Sequence, residues 1–263
     1  MKISNMFIRL SFLILCVVGF ILSGCGSITQ RPVSPKIPFD QSEAGEILCF
    51  LKNKNDTLNT FKGIGKIKLY DKNKVQAARM VWAGAKPGKL RIQVLDISGQ
   101  SIESFSSDSE YLYILSSALP KRFYKKRSAD ADLKRIISIP VKVVDVIDFL
   151  TGRIPIYDHD IATVKKIEPQ DERVLILKKR RQGVVEKIYL NNDKEVGKIE
   201  IFHSGNLLYR AIFEKIQKIN SYRVPFRLVI SNGNDIFVTL DIEKYFANVP
   251  VSPSMFVLTP PEG

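Results

Sequence analysis

The sequence predicts a mainly β (α+β) fold: a single curled antiparallel half-barrel of roughly ten or eleven strands with helices covering the concave face. Apolar and polar residues alternate in many short segments, for example 66–70 and 90–95. Turn sequences such as Asn191-Asn192-Asp193 separate these segments at hairpin spacing. Since strands and helices do not alternate along the chain, a doubly wound parallel sheet is disfavoured.

Helices are predicted at the start and in the middle of this domain. Asp40 and Glu43 have the spacing of a capping box, and apolar residues at helical spacing follow them. Residues 129–137 are compatible with a helix. Residues 143–150 form an amphipathic pattern that ends at Thr151-Gly152.

Period-two alternation predicts the strands. Segment 111–115 differs in being apolar on both faces, so that each of its faces needs a cover. The predicted strands are residues 66–70, 90–95, 111–115, 122–124, 174–179, 184–190, 198–203, 208–216, 224–230 and 236–245.

The first residues have the pattern of a secretory signal. Lys2 and Arg9 give a positive start, and residues 10–22 form an apolar run too short for a comfortable membrane span. The run ends in Leu22-Ser23-Gly24-Cys25, which resembles the lipobox of bacterial lipoproteins. This resemblance implies a signal peptide over 1–24, lipidation of Cys25 and, since Gly26 follows rather than Asp, the outer membrane. An uncleaved anchor with a chance cysteine is the alternative.

Residues 25–39 hold three prolines and few apolar anchors, which predicts a flexible tether between the lipidated cysteine and a domain over 40–263. Of the three cysteines, Cys16 leaves with the signal and Cys25 carries lipid. Cys49 remains, so the mature chain has no cysteine pair for an internal disulfide. Its apolar neighbours predict a buried, inert thiol.

The 40 Lys and Arg against 27 Asp and Glu give a net charge of +13, which indicates anionic surroundings. For an exported lipoprotein, nucleic acid is excluded as a partner and anionic head groups are favoured. Solvated strand ends are the alternative interpretation of the basic residues. The residues assigned to head-group contact are Lys121, Arg122, Lys125, Lys126 and Arg127.

Catalytic and metal-binding patterns are missing from the sequence, so we predict a protein that is not an enzyme and has no metal or cofactor. A periplasmic hydrolase would rest on His159 with Asp158 or Asp160 alone.

Three features of the chain resemble the LolB-like outer-membrane lipoproteins, in particular the DUF4292 branch. They are the order of the elements, the middle segment Phe149-Leu150-Thr151-Gly152-Arg153-Ile154-Pro155 and the final segment Phe256-Val257-Leu258-Thr259-Pro260-Pro261-Glu262-Gly263. The resemblance covers most of the chain from Asp40 onward. It implies a LolA/LolB-type half-barrel that binds acyl chains of lipoproteins or lipids, at the periplasmic face of the bacterial outer membrane. A LolA-type periplasmic carrier would be a partner, and lipoprotein localisation or insertion the process.

LolB-type proteins also carry an exposed apolar residue in a loop between strands, which inserts cargo into the membrane. The local match is Ile97 beside Ser98, where the polar Ser98 departs from the pattern and puts the insertion step in doubt. The function that competes with acyl-chain binding is that of a non-catalytic structural or assembly lipoprotein in an envelope complex. Alternation assigns the following residues to the cavity lining, with core packing as the alternative role: Trp82, Leu90, Ile92, Phe105, Tyr111 and Tyr113.

Overall fold

A computed structural model describes residues 40–72, 74–117, 121–127, 131–168 and 172–260, with side chains from residue 43 onward. All of them belong to one compact unit, Phe39–Gly263, which holds its own hydrophobic core. The predicted signal peptide 1–24, Cys25, the tether 25–39 and the motif residues 261–263 lie outside the described residues.

The described residues form helices α1 (Asp40–Asn53), α2 (Lys134–Ile137) and α3 (Val143–Leu150), and a 3₁₀ turn, Pro253–Phe256. The strands are β1 (Thr60–Asp71), β2 (Lys74–Ala85), β3 (Lys89–Leu95), β4 (Ser101–Asp108), β5 (Tyr111–Ser116), β6 (Arg122–Arg127), β7 (Ile161–Ile167), β8 (Glu172–Lys179), β9 (Gly183–Leu190), β10 (Val196–His203), β11 (Asn206–Ile219), β12 (Tyr222–Ser231) and β13 (Ile236–Ala247).

One antiparallel sheet contains all thirteen described strands, in the order β6-β5-β4-β3-β2-β1-β13-β12-β11-β10-β9-β8-β7. Neighbours in the sheet are also neighbours in the chain except at one place, where β1 pairs with β13. The sheet is not closed, because β6 and β7 lie at its two edges. The segment that contains α2 and α3 connects these edge strands along the chain.

The predicted fold class was wrong in two respects. The described residues form thirteen strands where about ten or eleven were predicted, because β2, β4 and β7 were missed. Four of the eight residues of β4 are serines, three of them buried, and serine in a sequence gives no sign of a buried strand. The helices of 14, 4 and 8 residues in the described part are also too few and too small to cover the face of so wide a sheet.

The inner face of the sheet is the one on which the helices pack. Trp82, Ile92, Phe105 and Ile114 lie side by side on it, in register across β2 to β5. On the other half of this face, Phe149 of α3 meets the rings of Tyr209 and Phe213 edge-on, with ring centroids 6.4 and 5.3 Å apart. The core is therefore apolar packing between one sheet face and short helices.

Helix α1 turns one side to the protein interior, where Ala44, Ile47 and Leu51 are each 1 % exposed. Cys49 lies on the other side of the helix and is exposed, so the predicted burial of its thiol was wrong. At two positions from Ile47 the side chain points nearly opposite to the buried stripe, a difference that the apolar neighbourhood in the sequence hides.

The segment with the 3₁₀ turn Pro253–Phe256 packs on the outer face of β3 and β4. The Ser106 hydroxyl donates to the carbonyl of Phe256 (2.7 Å), and Nη1 of Arg91 donates to the carbonyl of Met255 (2.9 Å). Phe256 and Tyr113 are both buried, and the Tyr113 hydroxyl donates to Asp108 (2.7 Å). This segment therefore covers part of the outer face, opposite the face on which the helices pack.

Substitution of Gly63 by alanine tests the packing of the inner face. A Cβ at Gly63 would lie 2.1 Å from the ring of Trp82, so the ring must shift. We expect a loss of about 1–3 kcal/mol in the free energy of unfolding, measured by urea titration. Gly197→Ala is the matched control on β10, since nothing lies within 4 Å of its added Cβ. Equal losses in both variants would contradict the packing argument.

Candidate functional site

A cavity of about 110 Å³ lies between the inner face of the sheet and helices α2 and α3. Glu103 and Ser104 are the polar residues at its border, and the remaining lining is hydrocarbon or ring. The sheet contributes Ile67, Met80, Ile92, Val94, Phe105, Ile114, Leu228, Ile230, Val238 and Leu240. The helical segment contributes Leu133, Ile136, Ile137, Val146 and Leu150.

The cavity exists because the sheet bends. Its lining comes from β1 to β5, β12 and β13, which are seven neighbouring strands. Seven flat strands would span about 29 Å at the usual spacing of about 4.8 Å. Side chains from all seven can border one small cavity only if the sheet curves around it. The sheet therefore supplies a concave apolar wall, and α2 and α3 supply the opposite wall.

The opposite wall is held by short-range backbone contacts. The N–H of Val143 donates to the carbonyl of Ala131 (2.8 Å), and the N–H of Leu133 donates to that of Val141 (2.9 Å). Helix α2 ends at Ser138, which has a left-handed backbone with φ of 59°. The wall is thus a folded-back loop with two small helices, closed on itself by these backbone hydrogen bonds.

Two buried carboxyl groups lie beneath α3. Asp145 of this helix accepts hydrogen bonds from the hydroxyls of Tyr157 and Tyr209, both at 2.7 Å. Burial raises the pKa of Asp145 against the effect of these two bonds. Glu186 of β9 is fully buried, and one of its oxygens accepts the N–H of Tyr157 at 3.0 Å. Its other oxygen has no partner among the described residues, and burial raises the pKa of Glu186 to about 8.

The residues that the sequence assigned to the lining lie in three places. Ile92 and Phe105 border the cavity. Trp82 and Leu90 are buried on the same inner face, outside the lining itself. Tyr111 and Tyr113 belong to the opposite face. Leu112, which lies between them, pairs with Ser107, and Ser107 pairs with Leu90 of the inner face.

The lining residues of β12 and β13 are not among those that the sequence assigned to the cavity. Leu228 and Ile230 alternate with outward residues in β12, as do Val238 and Leu240 in β13. Their alternation was visible in the sequence. What it did not show is that β13 pairs with β1 and so carries these residues to the wall formed by β1 to β5.

The hairpin between β3 and β4 presents Ile97, whose side chain is fully exposed at its tip. Asp96 holds this turn, because one of its carboxylate oxygens accepts the N–H of Ser98 at 2.8 Å and that of Gln100 at 2.9 Å. The Ser98 hydroxyl donates to the same oxygen at 2.7 Å. Ile97 is thus displayed by a turn that Asp96 closes with three hydrogen bonds, one of them from the Ser98 hydroxyl.

The basic residues assigned to head-group contact lie on or beside β6, an edge of the sheet. Lys121, Arg122, Lys125, Lys126 and Arg127 are all exposed. Lys125 places its ammonium 4.2 Å from the ring centroid of Tyr111, and Arg127 pairs with Glu110 at 3.3 Å. Lysine and arginine on an edge strand also prevent its pairing with another chain.

His159 contacts the carbonyl of Tyr157 through Nδ1 at 2.8 Å. Within the described ranges, no group of three or more His, Cys, Asp or Glu is placed to hold a metal ion. No helix in the same ranges has the length and apolar character to cross a bilayer.

The sequence matches no family model, and no curated protein is similar to it. Solved structures are similar to it in fold. A LolA superfamily protein from Nitrosomonas europaea has a TM-score of 0.57 at 14 % identity, over 82 % of this chain and 97 % of that one. A DUF1329 family protein from Desulfovibrio piger has a TM-score of 0.60 at 10 % identity, over 84 % and 98 %.

A putative outer membrane lipoprotein-sorting protein domain from Vibrio parahaemolyticus has a TM-score of 0.53 at 13 % identity, over 82 % of this chain and 96 % of that one. At such identities the similarity shows a shared fold. The likeness to a LolA superfamily structure confirms the predicted resemblance in its coarse part, the type of fold. The finer assignment to LolB-like or DUF4292 proteins stays a prediction.

Glu186→Gln tests the buried carboxyl. The pKa of Glu186 is raised from an ordinary 4.5 to about 8 in the folded state, so folding favours the proton. The contribution of Glu186 to the free energy of unfolding is therefore fully present below pH 4.5 and is lost as the pH rises toward 8. At pH 7, we expect the free energy of unfolding of the variant to exceed that of the parent by about 3 kcal/mol. At about pH 4 the two free energies should be equal. Urea titrations at both pH values measure them.

Glu200→Gln is the control, because the pKa of Glu200 is shifted in the opposite direction from that of Glu186. Burial acts to raise the pKa of Glu200. Hydrogen bonds from Tyr189 (2.9 Å) and Arg210 (2.8 Å) outweigh this effect and hold the pKa below its ordinary value. This variant loses stability at pH 7, and the loss shrinks as the pH falls. Parallel pH profiles for the two variants would contradict the assigned protonation of Glu186.

Proposed function

We propose that this protein binds the acyl chains of lipoproteins or lipids in the cavity between the sheet and α2–α3. The observation that carries the proposal is the composition of the lining, which is apolar apart from Glu103 and Ser104. Contact of such a surface with hydrocarbon is favourable, by about 25 cal/mol per Å² of apolar area removed from water. A binding function of this kind requires no bond-breaking residues.

The size of the cavity specifies how binding proceeds. An apolar cavity of about 150 Å³ holds benzene, and pockets for larger ligands measure about 300–1,000 Å³. At about 110 Å³, the cavity receives the end of an acyl chain and must widen for the rest. The wall formed by α2 and α3 is the part that moves, since the strands opposite are joined by continuous ladders.

The envelope is the proposed location, with the protein anchored by lipid on Cys25 at the periplasmic face of the bacterial outer membrane. Support comes from the lipobox-like Leu22-Ser23-Gly24-Cys25 and from the fold shared with the Vibrio protein, itself described as a putative outer membrane lipoprotein-sorting domain. A LolA-type periplasmic carrier is the proposed donor of cargo, and lipoprotein localisation the proposed process.

Contact with the membrane surface is proposed for one end of the sheet. Antiparallel order places the β1–β2, β3–β4 and β5–β6 turns at the same end. This end presents Ile97 and, from the neighbouring hairpins, Lys72, Lys74 and Lys121, all of them exposed. An apolar tip flanked by cations suits insertion among anionic head groups, at about 1 kcal/mol per cation near the surface.

Ile230 lies on the lining, and Val229 beside it points to the outer face of the same strand. Ile230→Trp fills the cavity, and we expect at least about tenfold weaker binding of an uncharged, dansyl-labelled fatty amide, measured by fluorescence titration of residues 39–263. Val229→Trp is the matched control and should bind normally. Ile230→Ala enlarges the cavity and should bind at least as well as the parent. Equal affinity in all three variants would exclude the cavity as the acyl site.

Ile97→Ala removes most of the side chain proposed to enter the bilayer. Burial of an isoleucine side chain contributes about 1.5–3 kcal/mol, so we expect roughly tenfold weaker binding to vesicles that contain phosphatidylglycerol, measured by co-sedimentation. Val257→Ala, which changes another exposed apolar residue, serves as control and should bind unchanged. Unchanged binding of Ile97→Ala would remove the hairpin from the proposed membrane contact.

A further inference from the structure

A second concave site lies on the outer face of the sheet, which the proposed acyl-chain function does not use. It is a groove of about 450 Å³ across β13, β1, β2 and β3, with Met255 at its border. Its volume lies within the range of about 300–1,000 Å³ that is usual for ligand sites. The groove is larger than the inner cavity of about 110 Å³.

Strand register explains the shape of the groove. Phe246, Lys62, Ala83 and Arg91 form one row across the four strands. The small Ala83 separates the two long cationic side chains, whose backbones lie about 10 Å apart at the usual strand spacing. A depression therefore forms over Ala83, with a cation on each side.

The next row gives the groove an apolar floor. Ile64 pairs with Val81, and Val81 pairs with Gln93, so that two apolar residues and one amide continue the depression. Phe246, which is 46 % exposed, forms the wall on the β13 side. The groove thus has a cationic end and an apolar end.

The charges in the groove are unbalanced. Lys62 and Arg91 border it, and none of the described residues that line it is acidic. Nη1 of Arg91 donates to the carbonyl of Met255, and its buried Nε has no acceptor in the described part of the chain. Glu243 of β13 is engaged elsewhere, with Lys66 and Arg79. Donors of a guanidinium without an acceptor favour an oxyanion, which it binds through two parallel hydrogen bonds.

We propose that this outer groove is a second binding site, for an amphiphile with a phosphate head group. The phosphate lies over Ala83 between Lys62 and Arg91, and the alkyl chain lies on Ile64 and Val81 against Phe246. Gln93 supplies a further donor to the phosphate oxygens. The proposal does not depend on the inner cavity, because the two sites lie on opposite faces of the sheet.

Isothermal titration calorimetry of residues 39–263 with decyl phosphate tests the site. Inorganic phosphate and decyl maltoside serve as the head group alone and as the chain with a neutral head. We expect binding of decyl phosphate that is at least about tenfold tighter than that of either comparison compound. The variant with Lys62→Gln and Arg91→Gln should lose at least about tenfold in affinity, because charge-assisted hydrogen bonds are the strong ones. Ala83→Leu, which fills the floor, should also lose binding.

Lys68→Gln is the matched control, since Lys68 is exposed on the same face of β1 and outside the groove. It should bind like the parent. If inorganic phosphate binds as tightly as decyl phosphate, the ligand is a free anion and the amphiphile assignment is wrong. If Ile230→Trp abolishes binding of decyl phosphate while Ala83→Leu does not, the ligand occupies the inner cavity and the outer site is wrong.

Discussion

The pairing of β1 with β13 is the constraint on which the rest of the structure depends. It joins the two ends of the domain and makes one sheet from two runs of hairpins. Asn248, directly after β13, secures it: its side-chain oxygen accepts the N–H of Asn59 (2.9 Å), and its N–H donates to the carbonyl of Thr60 (2.7 Å). The side-chain amide also donates to the Tyr222 hydroxyl of β12 (2.7 Å). The inner cavity spans this junction, so neither run of hairpins contains it alone.

The two walls of the cavity differ in how they are held. The strands form continuous ladders, whereas α3 rests on apolar contacts and on the hydrogen bonds of Asp145 with two tyrosines. Buried polar groups are costly without partners, and Glu186 beneath the same helix keeps one oxygen unpaired among the described residues. The polar layer therefore orients α3 while leaving it less stably bound than an all-apolar interface would. That difference suits a wall that has to move when an acyl chain enters.

A sheet with apolar residues on both faces needs two covers, and the structure provides different ones. Helices pack on the inner face, and the segment with Met255 and Phe256 packs on the outer face of β3 and β4. Each cover is incomplete. The space left inside is lined by hydrocarbon, and the space left outside lies between Lys62 and Arg91. One curved sheet thus offers two surfaces of different chemistry.

Period-two alternation alone determined that β3, β11, β12 and β13 are strands, and the amphipathic pattern alone determined α3. Strand β4 was invisible because its buried serines look polar in isolation. Alternation could not assign a face to Tyr111, because residues 111–115 of β5 are apolar at every position. Only the tertiary structure brought Ile230 of β12 and Ile92 of β3 to one cavity. The physical reason is that alternation is a local property of one strand, whereas register, curvature and the choice of cover depend on contacts between residues far apart in the chain.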